Sequence, residues 1–136
     1  MSRGANEFLA SASAVPQDIP IEEQMELLVR GHLGVIAHKL HDATVFFQEW
    51  KFLDASRRTT ITEQRNIYEA SFRRVIEEGI RQGIFHVEDA ALASIFVLSA
   101  LNWTYQWFRP DGPMSIEQLA DHYTMFIMRT LQGGQA

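Results

Sequence analysis

Five histidines and no cysteine limit the chemistry open to this chain. Without cysteine there is no disulfide scaffold, no thiolate-held zinc, no iron–sulfur cluster and no thiol nucleophile. His38 and His41 stand three residues apart with Asp42 beside them, so one helix face could present all three to a metal ion. Catalytic zinc normally needs three protein ligands and structural zinc four. No His-Glu-x-x-His occurs, and no Glu-x-x-His pair of the kind that builds a di-iron centre in a helical bundle. A Gly-x-Ser-x-Gly elbow and a Gly-rich phosphate loop are also missing. The expectation is a protein with no catalytic residues, no metal and no cofactor. The rival reading is a small helical metal-dependent enzyme built on His32 or on His38, His41 and Asp42.

Binding chemistry has more support. Phe46, Phe47, Trp50, Phe72, Trp103, Tyr105 and Trp107 supply aromatic surface, and ligand pockets are mostly apolar with a few polar anchors. His32 sits in the middle of an apolar stripe, either as a core histidine bonded to a neighbour or as such an anchor. Asn102 is the second polar group on an otherwise apolar helix; an unpaired buried amide costs about 1–3 kcal/mol. It therefore needs a facing helix or a ligand to bond. The ligand-binding set expected from these features is His32, Phe46, Trp50, Phe72, Ile76, Asn102 and Trp103. Gly79 and Gly83, in a helix that would otherwise favour Ala, leave room for a ligand or for close packing.

The elements that position these residues are all helical. Residues 21–39 place Met25, Leu28, Val29, His32, Leu33 and Ile36 on one stripe at i, i+3, i+4, i+7 spacing. Glu22 and Glu23 occupy the first turn, where carboxylates suit the helix dipole. A second helix over 41–53 carries Val45, Phe46, Phe47, Trp50 and Phe52. A third opens at a capping box, Thr60-Ile61-Thr62-Glu63, and ends at Gly83. Its core face is Ile61, Tyr68, Phe72, Val75, Ile76 and Gly79, and its outer face pairs Glu69 with Arg73 and Glu77 with Arg81. The fourth spans about 89–108. The fifth runs from the capping box Ser115-Ile116-Glu117-Gln118 to about residue 131. The fold class is all-α, a bundle of five helices. Residues 1–20, with Ser11–Pro20 small, polar and proline-containing, read as a tail and linker, partly helical or disordered. Residues 21–131 form the domain, and 132–136 a flexible tail.

With 136 residues the chain makes one domain of ordinary size. Its net charge of −5 lacks the basic footprint of a protein that holds the phosphate backbone alone. Residues 90–108 carry no charge, close to the length of about 20 residues that a membrane span needs. Ser94, Ser99, Asn102, Thr104 and Gln106 interrupt that stretch on several faces, and the flanks lack the basic asymmetry of a span. A soluble helix apolar all round must be buried all round, and a second copy of the chain supplies the missing cover. The last helix agrees: its stripe of Ile116, Leu119, Ala120, Tyr123, Ile127 and Leu131 leaves Met125 and Met128 pointing elsewhere. The expected homodimer interface is Trp107, Tyr123, Met125 and Met128, with the face used by the fourth helix left open.

The run Leu101-Asn102-Trp103-Thr104-Tyr105-Gln106-Trp107-Phe108-Arg109-Pro110-Asp111-Gly112-Pro113-Met114-Ser115, continuing into Ile116-Glu117-Gln118-Leu119-Ala120, resembles the end of the C-terminal regulatory domain of TetR-type transcriptional regulators. Residues 73–85 resemble the preceding helix of that family and the turn after it. The resemblance covers about residues 21–131. It is nearest the branch that responds to fatty acyl-CoA or sterol-derived CoA thioesters. It implies a cytoplasmic repressor domain that senses a small hydrophobic effector such as an acyl-CoA. The middle helices would form the pocket and the last two a four-helix dimer interface. Arg57, Arg58, Arg65, Arg73 and Arg74 could then meet the phosphates of the effector. The family's helix-turn-helix is not expected within residues 1–20, so contact with DNA would come through a segment outside this chain. A stand-alone module that pairs with a full-length relative is a further alternative.

Overall fold

The computed structural model describes residues 3–49 and 52–133. Among the described residues six helices follow one another: α1 (Arg3–Ser13), α2 (Ile21–His38), α3 (Leu40–Glu49), α4 (Ala55–Arg81), α5 (Ala90–Trp107) and α6 (Ile116–Gln132). The sequence pattern predicts five. The additional one is α1, which lies within the stretch expected to be tail and linker. Its Ala5, Phe8, Leu9 and Ala12 repeat at helical spacing, and Ala5 and Phe8 are buried. α1 packs against α2, α3 and α4, so residues 3–13 belong to the core.

α2 is the central element, touching all five other helices. The stripe predicted for it is buried along its whole length, His32 included. α3 is described over Leu40–Glu49; residues 50 and 51 of the predicted 41–53 helix lie outside the described residues, and Phe52 is 78% exposed. α4 begins five residues before the predicted capping box. Asp54 accepts a hydrogen bond from the Arg57 backbone N–H at 2.8 Å, so the first turn is capped upstream. Thr60 lies inside the helix with its hydroxyl on the Ser56 carbonyl. At the other end Gly83 takes φ +76°, as a glycine after a helix commonly does. Arg73 pairs with Glu69 at 2.7 Å as expected, but Arg81 reaches Glu78 and not Glu77. Glu78 lies on the same side of the last turn as Gln82, which also donates to it.

Behind Gly83 the chain folds back, and the Phe85 ring lies on Gly79, where a Cβ would overlap it. The Gly79 gap is therefore filled by Phe85, which is 1% exposed, and not by a ligand. The next residue, His86, donates its backbone N–H to the Leu131 carbonyl and ties this turn to the end of α6.

α5 inverts the usual hydrophobic order. The residues it buries are Ser94, Val97, Leu101 and Thr104, while Leu92, Ile95, Phe96, Trp103 and Trp107 are exposed. Small residues let α5 lie close on α4. The Ser94 hydroxyl donates to the Glu69 carboxylate of α4 and bonds the Ala91 carbonyl, and Thr104 bonds the Leu101 carbonyl. Among the described residues, no helix is long and apolar enough to cross a membrane.

The Ser115 capping box forms as predicted. Its hydroxyl accepts from the Gln118 N–H, and the Gln118 side chain accepts from the Ser115 N–H. α6 buries Leu119, Ala120, Ile127 and Leu131 against the body of the domain, with α2 as its main partner. A further tie to α2 runs through Arg30, which donates to Glu26 of its own helix and to Asp121 of α6.

Candidate functional site

A cavity of about 190 Å³ lies between α1, α2, α3, α4 and α5. Phe8 and Leu9 from α1, Phe46 and Phe47 from α3 and Leu98 from α5 form its apolar walls. Phe8 organises them. Its ring is stacked on His32 with centroids 4.6 Å apart and lies 5.6–5.8 Å from Phe46, Phe47 and Tyr68. The polar lining comes from His32, Asn102 and a stretch of α4 that includes Gln64, Arg65, Tyr68 and Glu69.

His32 is 1% exposed, and its Nδ1 lies 2.8 Å from the Tyr68 hydroxyl, also buried. Desolvation pushes the imidazole pKa down from 6.5 to about 3, and Asn102 opposes this by acting on the ring. Nε2 is fully buried and, among the described residues, meets no hydrogen-bond partner of ordinary length and angle; Asn102 is the side chain that acts on the ring. The ring is therefore neutral at physiological pH. Burial raises the Tyr68 phenol well above its ordinary value, so it too stays uncharged.

Two charged residues complete the lining. Arg65 donates to the Phe46 carbonyl at 3.2 Å, with its guanidinium carbon 4.6 Å from the centre of the Phe46 ring. Burial lowers its pKa without threatening its charge. Glu69 is held by Arg73 and by Ser94 of α5, so the cavity wall and the α4–α5 contact share one carboxylate. A small ligand here would meet aromatic walls, side-chain amides, one cation and one carboxylate, with the neutral His32 ring behind them.

Of the residues predicted to bind ligand, His32, Phe46 and Asn102 line the cavity. Phe72 is fully buried beside it, edge-on to His32 at 6.4 Å, and supports that ring without lining the space. Ile76 lies one turn further along α4 in the solid core. Trp103 stands on the outer face of α5, 62% exposed, because the helix turns its neighbour Asn102 inward. Trp50 lies outside the described residues. The α1 contribution escapes a reading of residues 1–20 as a tail, although the spacing of Ala5, Phe8, Leu9 and Ala12 is a usable signal. Tyr68 is legible as a core-face residue, but its link to His32 is not.

The residues expected at a dimer interface divide. Trp107 and Met125 are exposed, whereas Tyr123 and Met128 are half-buried against the core. Phe96 of α5 and Phe126 of α6, 60% and 54% exposed, do not stand out in the sequence. Exposed His38 and His41 flank the α2–α3 junction, and Asp42 faces Arg3 of α1 at 4.0 Å. Among the described residues no group of three or more His, Cys, Asp or Glu is placed to hold a metal ion.

A family model described as "Tetracyclin repressor-like, C-terminal domain" matches residues 18–131. The chain belongs to the TetR family. The HTH-type transcriptional repressor KstR2 of Mycobacterium tuberculosis is 23% identical over 108 residues, which are 78% of this chain and 54% of KstR2. The chain thus spans about half the length of the curated relatives it matches. Among solved structures, the TetR-family regulator PfmR of Thermus thermophilus aligns with a TM-score of 0.86 at 28% identity, over 98% of this chain and 71% of its own. AibR, solved with isovaleryl coenzyme A and operator DNA, aligns with a TM-score of 0.81 at 22% identity, over 90% of this chain and 68% of its own. At that identity the likeness to AibR shows the fold alone. KstR2 and PfmR are transcriptional regulators.

Proposed function

We propose that this TetR-family domain binds a small hydrophobic effector in the α1–α5 cavity, forms a homodimer through α5 and α6, and serves a repressor. The cavity carries the reading. An apolar cavity of about 150 Å³ accommodates benzene, so 190 Å³ suits a branched or cyclic group slightly larger than that. A short acyl chain meets this limit and a long fatty chain exceeds it. AibR was crystallised with isovaleryl coenzyme A, and a short-chain CoA thioester is the effector class that combines the family with this volume. The acyl group would enter between Phe8, Phe46 and Phe47, with Arg65 at its polar side.

The dimer reading rests on Leu92, Ile95, Phe96, Trp103, Trp107 and Phe126, large apolar side chains exposed on the last two helices. Apolar patches of this kind mark interaction surfaces, and a two-fold axis would let each copy cover the other. Contact with DNA would come through a helix-turn-helix of the whole regulator.

The test is a thermal-shift and calorimetric titration with CoA thioesters of increasing chain length. Isovaleryl-CoA should raise the melting temperature and palmitoyl-CoA should not. Ligand at about 100 times Kd adds about 2.7 kcal/mol of stability. Failure of every CoA thioester to bind at millimolar concentration refutes the effector assignment. Sedimentation of Phe96→Glu tests the other half: the wild type should be dimeric and the variant monomeric with an unchanged helical spectrum.

A further inference from the structure

The geometry points to Glu69 as a specificity residue at the mouth of the cavity: its carboxylate accepts a hydrogen bond from an uncharged N–H on the carrier arm of a thioester, close to the acyl group. This rests on the reading of the cavity as the site of a short-chain thioester. It goes further by naming the part of the ligand that lies outside the cavity and the residue that meets it.

The cavity volume decides where the carrier must lie. About 190 Å³ holds a short acyl group and little more, so the arm that carries this group has to leave through the opening. Of the residues lining the space, Asn66 is the exposed one; the others are buried or half-buried. Glu69 follows Asn66 by one turn on the same side of α4, and 21% of its side-chain surface remains accessible. On α5, Ser94 bonds Glu69, and one turn further on Leu98 lines the cavity. The opening therefore lies along the seam between α4 and α5, with the Glu69 carboxylate at its edge.

Glu69 has acceptor capacity to spare. An ionised carboxylate offers about four lone-pair sites and no donor. Arg73 donates to Oε1 at 2.7 Å and the buried Ser94 hydroxyl donates to Oε2, which are its bonds among the described residues. Each oxygen keeps a free acceptor site. An arm without a donor would cover this group and strip its water with no bond in return.

The donor is uncharged for a reason visible at the same edge. Arg73 lies against Glu69, and Arg65 lines the cavity one turn earlier on α4, so an ammonium would approach two guanidinium groups. A carboxylate or phosphate in this position would face Glu69 itself. An amide N–H makes a charge-assisted bond without adding charge. In a coenzyme A thioester the first polar group of the arm beyond sulfur is such an amide, and it reaches the edge when the acyl group fills the cavity.

Two ligands differing at one position test this: isovaleryl-N-acetylcysteamine, which carries the amide N–H, and the analogue with an ester oxygen in its place. Calorimetry on the intact chain gives both affinities, with isovaleryl-CoA alongside. The amide should bind about tenfold more tightly than the ester. In Glu69→Gln the ratio should fall below about threefold, because the acceptor loses its charge while Ser94 keeps an oxygen to bond. Labelling the ligand amide with nitrogen-15 gives a readout that needs no variant: its proton should move downfield and exchange slowly when bound. A bound amide proton that stays at its free position overturns the inference, whether or not Glu69→Gln folds. Equal binding of amide and ester overturns it and leaves the cavity as a thioester site. A preference that survives Glu69→Gln but is lost in Asn66→Ala overturns it by moving the acceptor to Asn66. If the ester analogue of the 3-hydroxyisovaleryl thioester matches the amide, the donor belongs to the acyl group and the carrier-arm assignment is overturned. Binding of isovaleryl-CoA alone overturns it by placing recognition at the nucleotide end. If isovaleryl-CoA also fails to bind, the effector reading itself falls and the inference with it.

Discussion

Acidification should destabilise this domain through one buried ring. His32 titrates near 6.5 when exposed and near 3 in the folded state, because burial penalises its charged form. Between those values the unfolded chain binds a proton at this position and the folded chain does not. Stability therefore falls as pH is lowered through the interval, by up to about 1.4 kcal/mol per pH unit. Integrating from pH 7.5 to pH 5 gives a loss of about 2 kcal/mol from this residue. Any folded pKa below about 4 gives nearly the same loss at pH 5, because the unfolded pKa sets the onset. Against a total stability of about 5–15 kcal/mol this is a large fraction, and it corresponds to a drop in melting temperature of about 7 °C for a chain of this length. Urea unfolding at half-unit pH steps measures the slope. His32→Gln keeps an acceptor for the Tyr68 hydroxyl but removes the titration, so its stability should decline less over the same range by about 2 kcal/mol at pH 5. Identical pH profiles for the variant and the wild type would refute the assignment of a buried, neutral His32.

Gly79→Ala sets helix propensity against packing. Propensity alone predicts a gain of about 1 kcal/mol, but the new methyl meets the buried Phe85 ring, and displacing a buried aromatic costs about 3 kcal/mol. Urea unfolding should show a net loss of about 2 kcal/mol, reversing to a gain when Phe85→Ala is already present. Ser115→Ala removes one half of the α6 capping box and should cost about 1 kcal/mol; Ser115→Asn should restore most of it.

Much of the helical framework is legible in the sequence because helix formation is governed by local spacing and local caps. The α2 stripe and the Ser115 capping box depend on residues within a turn or two of each other, and both stand where the pattern puts them. The start of α4 differs from its prediction because two local signals compete, and Asp54 caps the helix upstream of Thr60. α1 is hidden because the small, polar composition of its surroundings outweighs a short amphipathic repeat. Its order comes from Phe8 docking among four rings from other helices.

His32 is conspicuous in the sequence as a polar residue on an apolar stripe, but its two possible roles cannot be separated there. The nearest residue that decides between them, Tyr68, lies 36 positions away. The same holds for α5. Its composition shows a helix apolar on nearly every side, whereas its orientation is settled by the contact with α4 at which Ser94 bonds Glu69. Composition, caps and spacing, with the run over residues 101–120, are enough to establish an acidic all-α domain of the TetR type and the periodicity of its helices. Which face of each helix turns inward is set by packing between helices. That packing brings the His32 ring, the Asn102 amide and the α1 aromatics to one cavity. The physical reason is range: periodicity and capping are set within a few residues, while a cavity is formed by side chains that meet only after the chain has folded.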